Sequence, residues 1–126
     1  MVDSIHVDGL THSTPIPAAA RVGPFIASGL ISGRSIETGE LPASIEGQCQ
    51  QMFANIKTIV EAAGGNVQSV LRITVWMNDR SMRAALNEAW EVMYPDPHKR
   101  PARLTINREL DQGKLVECEI IAVAKA

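Results

Sequence analysis

Between Leu41 and Ala63 the apolar positions Ile45, Cys49, Met52, Phe53, Ile56, Ile59, Val60 and Ala63 recur at steps of three and four. That spacing gathers side chains on one face of an α-helix. Pro42 suits the first turn and Gly64-Gly65 suits a C-terminal cap, so a helix is predicted over 41–63. Glu46, Gln50, Lys57 and Glu61 fall on the opposite face and are expected to meet water. The period then changes to two. From Val67 to Asn78, Val67, Leu71, Ile73, Val75 and Met77 share one parity, broken only by Ser69, and Gln68, Val70, Arg72, Thr74 and Trp76 share the other. This alternation, rich in β-branched residues, predicts a strand. A second helical stripe follows over 81–94: Met82, Ala85, Leu86, Ala89, Trp90 and Met93. Asp79 or Ser81 can cap it, and Pro95 and Pro97 end it.

The two ends of the chain read as strands. The first 35 residues are short apolar runs joined by turns, with Phe25–Ser28 as a strand ending in a glycine bend and Thr38-Gly39-Glu40 as a turn. Pro15 and Pro17 forbid a central strand around them. Residues 102–108 alternate, Asp111-Gln112-Gly113 turns, and 115–124 form a long last strand. The order is thus strands, helix, strand, helix, strand, strand. It predicts an α+β fold: one mixed sheet of five or six strands with both helices on one face and right-handed crossovers. Length, lack of repeats and lack of a linker make residues 1–126 one domain.

Parity also assigns the sheet's two faces. In the last strand Val116, Cys118, Ile120, Ala122 and Ala124 should face the helices, leaving Leu115, Glu117, Glu119, Ile121 and Val123 on the second face. In the strand before it, the apolar set Ala102, Leu104 and Ile106 is expected to face the helices, and Arg103, Thr105 and Asn107 the second face. Arg72, Thr74 and Trp76 are expected there too. Such a face mixes Trp76, Ile121 and Val123 with charges. A contiguous apolar patch of this kind points to self-association, and its charged groups must pair or serve a ligand. A solvated face with ordinary ion pairs is the alternative.

Composition narrows the function classes. Apolar residues are 45% and charged residues 21% of the chain, which fits a globular domain and argues against disorder. A formal net charge of -2 argues against a surface built for nucleic-acid phosphates. No run approaches the ~20 apolar residues of a membrane span, and the first ten residues carry Asp3 and Asp8 rather than a basic-then-apolar leader. The two cysteines, Cys49 and Cys118, lie in apolar periodic segments and read as buried reduced thiols, so a cytoplasmic location is expected. His6, His12 and His98 show no metal-ligand spacing. His12 beside Ser13 lacks any arguable third group or oxyanion site, and Gly64-Gly65 follows a helix instead of opening one onto a phosphate.

Several segments together resemble the YjgF/YER/RidA family: Phe25-Ile26-Ala27-Ser28-Gly29, the Thr38-Gly39-Glu40 turn, the Gln48 to Gly64 helix, Ala85-Leu86-Asn87 before an aromatic residue, Arg100-Pro101-Ala102-Arg103 and Val116-Glu117-Cys118-Glu119. The similarity runs from about Ile5 to Ala124. It implies a chorismate-mutase-like subunit, a homotrimer with clefts between subunits, and hydrolysis of reactive enamines and imines to 2-oxo acids and ammonia without metal or cofactor. Older labels for the family include translation inhibitor and endoribonuclease. By the same resemblance Arg103 holds the substrate carboxylate and Glu117 the hydrolytic water, while Ser28, Gly29, Asn87 and Thr105 line the pocket. Thr105 stands where RidA itself has a cysteine. The Pro15-Ile16-Pro17 segment lacks the aromatic residue expected there, and the region from Ala18 to Gly23 is rearranged.

The chemistry is consistent with those residue types. A guanidinium grips a carboxylate through two parallel hydrogen bonds, and a carboxylate beside water can take and return a proton. Read without the resemblance, Arg103 is more readily a structural partner of Glu117 or Glu119 across a subunit boundary. Ser28 reads alternatively as turn chemistry and Asn87 as a surface amide. The expectation is a cofactor-independent enamine/imine deaminase acting on small carboxylates, with no nucleic-acid or membrane partner. The alternatives are a pathway-specific deaminase of the 2-aminomuconate type, a non-catalytic small-carboxylate binder, and, last, an endoribonuclease.

Overall fold

Helix α1 spans Ile45–Ala62 in the computed structural model, which describes residues 1–10 and 15–125. It begins four residues later than its apolar stripe predicts. Ser44 is the N-cap, its Oγ accepting the Gly47 N–H at 3.0 Å, and Pro42 stays outside because its carbonyl accepts from the Gln48 side chain at 2.9 Å. The C-terminus follows expectation. Gly64, at φ +92°, donates to Glu61 O, and Gly65 donates to Val60 O. The left-handed backbone there favours glycine.

Seven strands form one sheet: β1 (Asp3–Ile5), β2 (Ala19–Val22), β3 (Phe25–Ser28), β4 (Ile31–Ser32), β5 (Val70–Met77), β6 (Ala102–Asn107) and β7 (Val116–Val123). The order is β1-β2-β3-β7-β5-β6, with β4 also paired to β7. Among the described residues only β5 and β6 run parallel, joined through α2 (Arg83–Met93). The count exceeds the predicted five or six because β1 and β4 are only three and two residues long. A 3-10 turn over Arg80–Met82, capped by Asp79 Oδ1 on the Ser81 N–H at 2.9 Å, precedes α2 where helix was predicted from Ser81. This α+β arrangement, one mixed sheet with two helices, matches the expected class.

The core lies between the helices and one sheet face. Val116, Cys118, Ile120, Ala122 and Ala124 are buried there, as parity predicts, against Ile56, Ile59, Val60 and Leu86. Cys49 and Cys118 are free and buried, and burial pushes the Cys49 thiol up to about 12. Two polar side chains of α1 are also buried, Gln48 and Asn55. Among the described residues no helix is long and apolar enough to cross a membrane.

Three expectations fail on register. The strand predicted from Val67 starts at Val70, because Asn66 caps a 3-10 turn over Val67–Ser69. A bulge between Val70 and Arg72 then turns Leu71 out to 60% exposure and buries Val70, reversing both assignments. The third failure matters most. Strand β6 pairs Arg103 with Ile73 and Thr105 with Val75, so Arg103 and Thr105 stand on the helix side of the sheet. Leu104 and Ile106 pair with Thr74 and Trp76 and lie on the second face, where they are exposed. The apolar side of β6 thus faces away from the core. Phe25, Ile121 and Val123 are exposed on that same face, as predicted for the last two. The His12–Ser13 pair lies outside the described residues.

Candidate active site

Arg103 sits on β6, the edge strand beside α2. The connection into that strand is tied by Arg100, whose Nε donates to Tyr94 O at 2.8 Å, and by the buried Tyr94, whose hydroxyl donates to Val67 O at 3.0 Å. The half-buried guanidinium of Arg103 is held by two α2 side chains one turn apart. Its Nη2 donates to Asn87 Oδ1 at 2.6 Å, and its Cζ lies 4.9 Å from the Trp90 ring centroid. Its Nη1 is buried and has no hydrogen-bond partner. A buried guanidinium N–H without an acceptor is costly, so this atom is positioned for an acceptor that the described residues do not supply. Burial, and then neighbouring Arg83, lower the Arg103 pKa from its ordinary value. Thr105 follows on the same side of β6.

Glu117 sits elsewhere. It is the second residue of β7, opposite Trp76 of β5 and Ser32 of β4, and is 5% exposed. It lines a cleft of about 570 Å³ together with Gly29, Leu30, Arg34 and Lys114. Lys114 Nζ lies 3.7 Å from Glu117 Oε2. Gly29 enters this cleft because β3 and β4 part there. Its N–H goes to Ala18 O, and Ser28 Oγ replaces a backbone acceptor by taking the Ile120 N–H at 2.8 Å. Ser28 is therefore a sheet-closing residue in this chain.

The predicted residues thus fall into two groups: Arg103, Asn87 and Thr105 at the β6–α2 edge, and Gly29 with Glu117 in the cleft. By strand pairing Glu117 shares the face of Trp76 and Ile106, while Arg103 shares that of Ile73. The two lie on opposite faces of one chain's sheet, contrary to their expected common face. No ion pair joins Arg103 to Glu117 or Glu119 among the described residues. Asn87 is more than a surface amide, since it accepts from the arginine.

Sequence reasoning missed three side chains. Trp90 was read only as core, although one helical turn from Asn87 is the spacing that lets both touch the same group. Arg34 and Lys114 had no periodic signal at all. A second groove, about 330 Å³ between α1 and α2, is lined by Phe53, Ala85, Ala89 and Val92 and contains none of these residues. Among the described residues no group of three His, Cys, Asp or Glu side chains is arranged to hold a metal.

The family model described as endoribonuclease L-PSP matches residues 16–124. The chain belongs to that family, the YjgF/RidA family. Among its relatives, the Escherichia coli K12 protein named 2-iminobutanoate/2-iminopropanoate deaminase is 32% identical over 120 residues, covering 86% of this chain and 93% of that one. Family members with solved structures superpose closely. A probable translation initiation inhibitor from Rhodopseudomonas palustris gives a TM-score of 0.92 at 28% identity over the whole of both chains. RidA from the Antarctic bacterium Psychrobacter sp. PAMC 21119 gives 0.88 at 32% identity over 96% of this chain and 98% of that one. Imine deamination is thus an activity within the family.

Proposed function

We propose that this protein hydrolyses small imines and enamines that carry a carboxylate, in a site completed by two copies of the chain within a homotrimer. The observation that carries the reading is the division of the site: a guanidinium with an unpartnered buried N–H on one sheet face, and a buried carboxylate in a cleft on the other. One small ligand cannot touch both groups of the same chain. The exposed apolar set Phe25, Leu104, Ile106, Ile121 and Val123 supplies a surface on which a second copy can seat. The 2-iminobutanoate/2-iminopropanoate deaminase name of the E. coli relative supports the substrate class.

In this mechanism Arg103 of one copy holds the substrate carboxylate, with Nη1 gaining its acceptor. Water at Glu117 of the next copy attacks the imine carbon. A C–O bond forms, the C=N π pair moves to nitrogen, and Glu117 takes a proton from the water. The same carboxyl returns a proton to the carbinolamine nitrogen. The C–N bond then breaks as the hydroxyl proton passes through Glu117 to that nitrogen, leaving a 2-oxo acid and ammonia. No electrons are transferred to or from the substrate. Fixing the carboxylate removes most of the orientational freedom that makes a bimolecular attack slow. A net charge of -2 gives an RNA-cleaving reading less support.

The test generates imines in situ with an amino-acid oxidase and follows their decay. Arg103→Ala and Glu117→Gln should each lose on the order of 10²-fold or more in rate, with Glu117→Gln retaining 2-oxo acid binding. Mixing the two variants through unfolding and refolding should restore roughly a quarter of wild-type activity, the share of sites that pair an intact arginine with an intact glutamate when a symmetric ring assembles at random. Unrestored mixtures, or a wild type without turnover, would overturn the proposal.

A further inference from the structure

The cleft around Glu117 carries more positive charge than a monocarboxylate needs. Among its described lining residues the charged ones are Glu117, Lys114 and Arg34, for a net charge of +1 before any group arrives from a second copy. Arg103 would raise this to +2. A substrate with a single carboxylate leaves one cation unmatched in a partly closed space, where uncompensated charge is costly.

Both extra cations are held in place by design of the backbone around them. Gln48 and Asn55 lie seven residues apart, on one face of α1, and are almost fully buried. Asn55 Nδ2 donates to Ser32 O and Arg34 O, both at 2.9 Å, and its Oδ1 accepts from Gln51. Gly33 between them lies so close to α1 that a Cβ there would strike the Gln48 carbonyl. Gln48 in turn donates to Gly113 O at 3.1 Å and accepts from the Leu115 N–H at 2.9 Å, bracketing Lys114. Asn78 Nδ2 donates to Lys114 O at 2.9 Å. Thus two buried amides of one helix clamp the two segments that bring Arg34 and Lys114 to a common cleft. Preorganised cations of this kind favour a fixed anionic group. Arg34 spends one N–H on Gly39 O at 2.8 Å, which orients the guanidinium.

We infer that the substrate is an imine of a dicarboxylic amino acid. Its α-carboxylate goes to Arg103 of one copy, and its distal carboxylate to Arg34, assisted by Lys114, in the cleft of the other. This rests on the deaminase reading above and narrows its substrate class.

The experiment compares 2-iminoglutarate with 2-iminobutanoate, each generated in situ by an oxidase, and reads the ratio of the two kcat/KM values. The wild type should favour the dicarboxylate by about tenfold or more, and Arg34→Gln should lower that ratio by a similar factor. Arg103→Ala should depress both substrates. Calorimetry with 2-oxoglutarate and 2-oxobutanoate gives the same ratio without catalysis. A wild type that turns over 2-iminobutanoate as well as 2-iminoglutarate, or a ratio unmoved by Arg34→Gln, overturns the inference while leaving the deaminase intact. If neither imine is hydrolysed, the deaminase reading fails. The substrate inference then falls with it, whereas hydrolysis without a dicarboxylate preference overturns the inference alone.

Discussion

The β6–α2 edge and the Glu117 cleft solve the problem of placing a charge in different ways. At the edge, Arg103 is held by side chains alone, a tryptophan face and one amide oxygen, on a strand with a neighbour on only one side. In the cleft, the charges ride on backbone that buried amides grip from beneath. The edge group has a hydrogen-bonding position to spare, whereas in the cleft Glu117 is paired with Lys114 and Arg34 is left as excess charge. The difference teaches that the two charges are anchored differently: the cleft's are tied into the fold's stability, and the edge arginine keeps a buried N–H with no acceptor among the described residues.

Substitutions can break that comparison. The largest effect is expected from Asn55→Leu, which strands two backbone carbonyls and the Gln51 amide in the interior. The cost should be about 3 kcal/mol, read from denaturant midpoints at unchanged m, and the 2-iminoglutarate preference should fall with it. Full stability in this variant would show that the clamp is not structural.

A smaller change should appear at the edge and in a different observable. Trp90→Ala removes a cation–π contact of roughly 1–2 kcal/mol, a weakening of carboxylate binding of about tenfold. Trp90→Phe should recover most of it. Kinetics should show the loss in KM more than in kcat, because the ring positions Arg103 without touching the reacting atoms. Equal losses in Phe and Ala variants would argue that Trp90 acts only through packing.

An effect absent at neutral pH belongs to the core shared by both regions. The Cys49 thiol is held up at about 12 by burial, with Glu46 adding to the shift, against about 8.5 in an unfolded chain. Below the unfolded value the thiol is protonated in both states and stability is unaffected by its titration. Above it, the unfolded chain loses a proton that the folded chain keeps. Stability then declines with pH by up to about 1.4 kcal/mol per unit until the folded value is reached. Urea titrations at pH 8 and pH 10 should show a decline that Cys49→Ala reduces. An identical decline in that variant would assign it to other groups, such as Cys118, whose thiol burial also pushes up.

Helix α1 and the buried side of β7 were legible in the sequence because their signals are local. A stripe at steps of three and four needs no knowledge of the rest of the chain, and Cys118, Ile120 and Ala122 alternate on a strand whose core side is plainly apolar. The family resemblance located Arg103 and Glu117 without placing them relative to one another. Strand β6 was misread for a definable reason. Its apolar side, Leu104 and Ile106, was assigned to the core, but pairing with β5 turns it to the opposite face. Alternation reports that a strand has two unlike sides; which side meets the helices depends on the neighbour's register. A single-residue bulge at Leu71 reversed another assignment in the same way. The separation of the arginine from the glutamate, the unpartnered Nη1 and the clamp from Gln48 and Asn55 are products of long-range pairing. They join residues up to 67 positions apart, and only the folded chain brings such groups into contact.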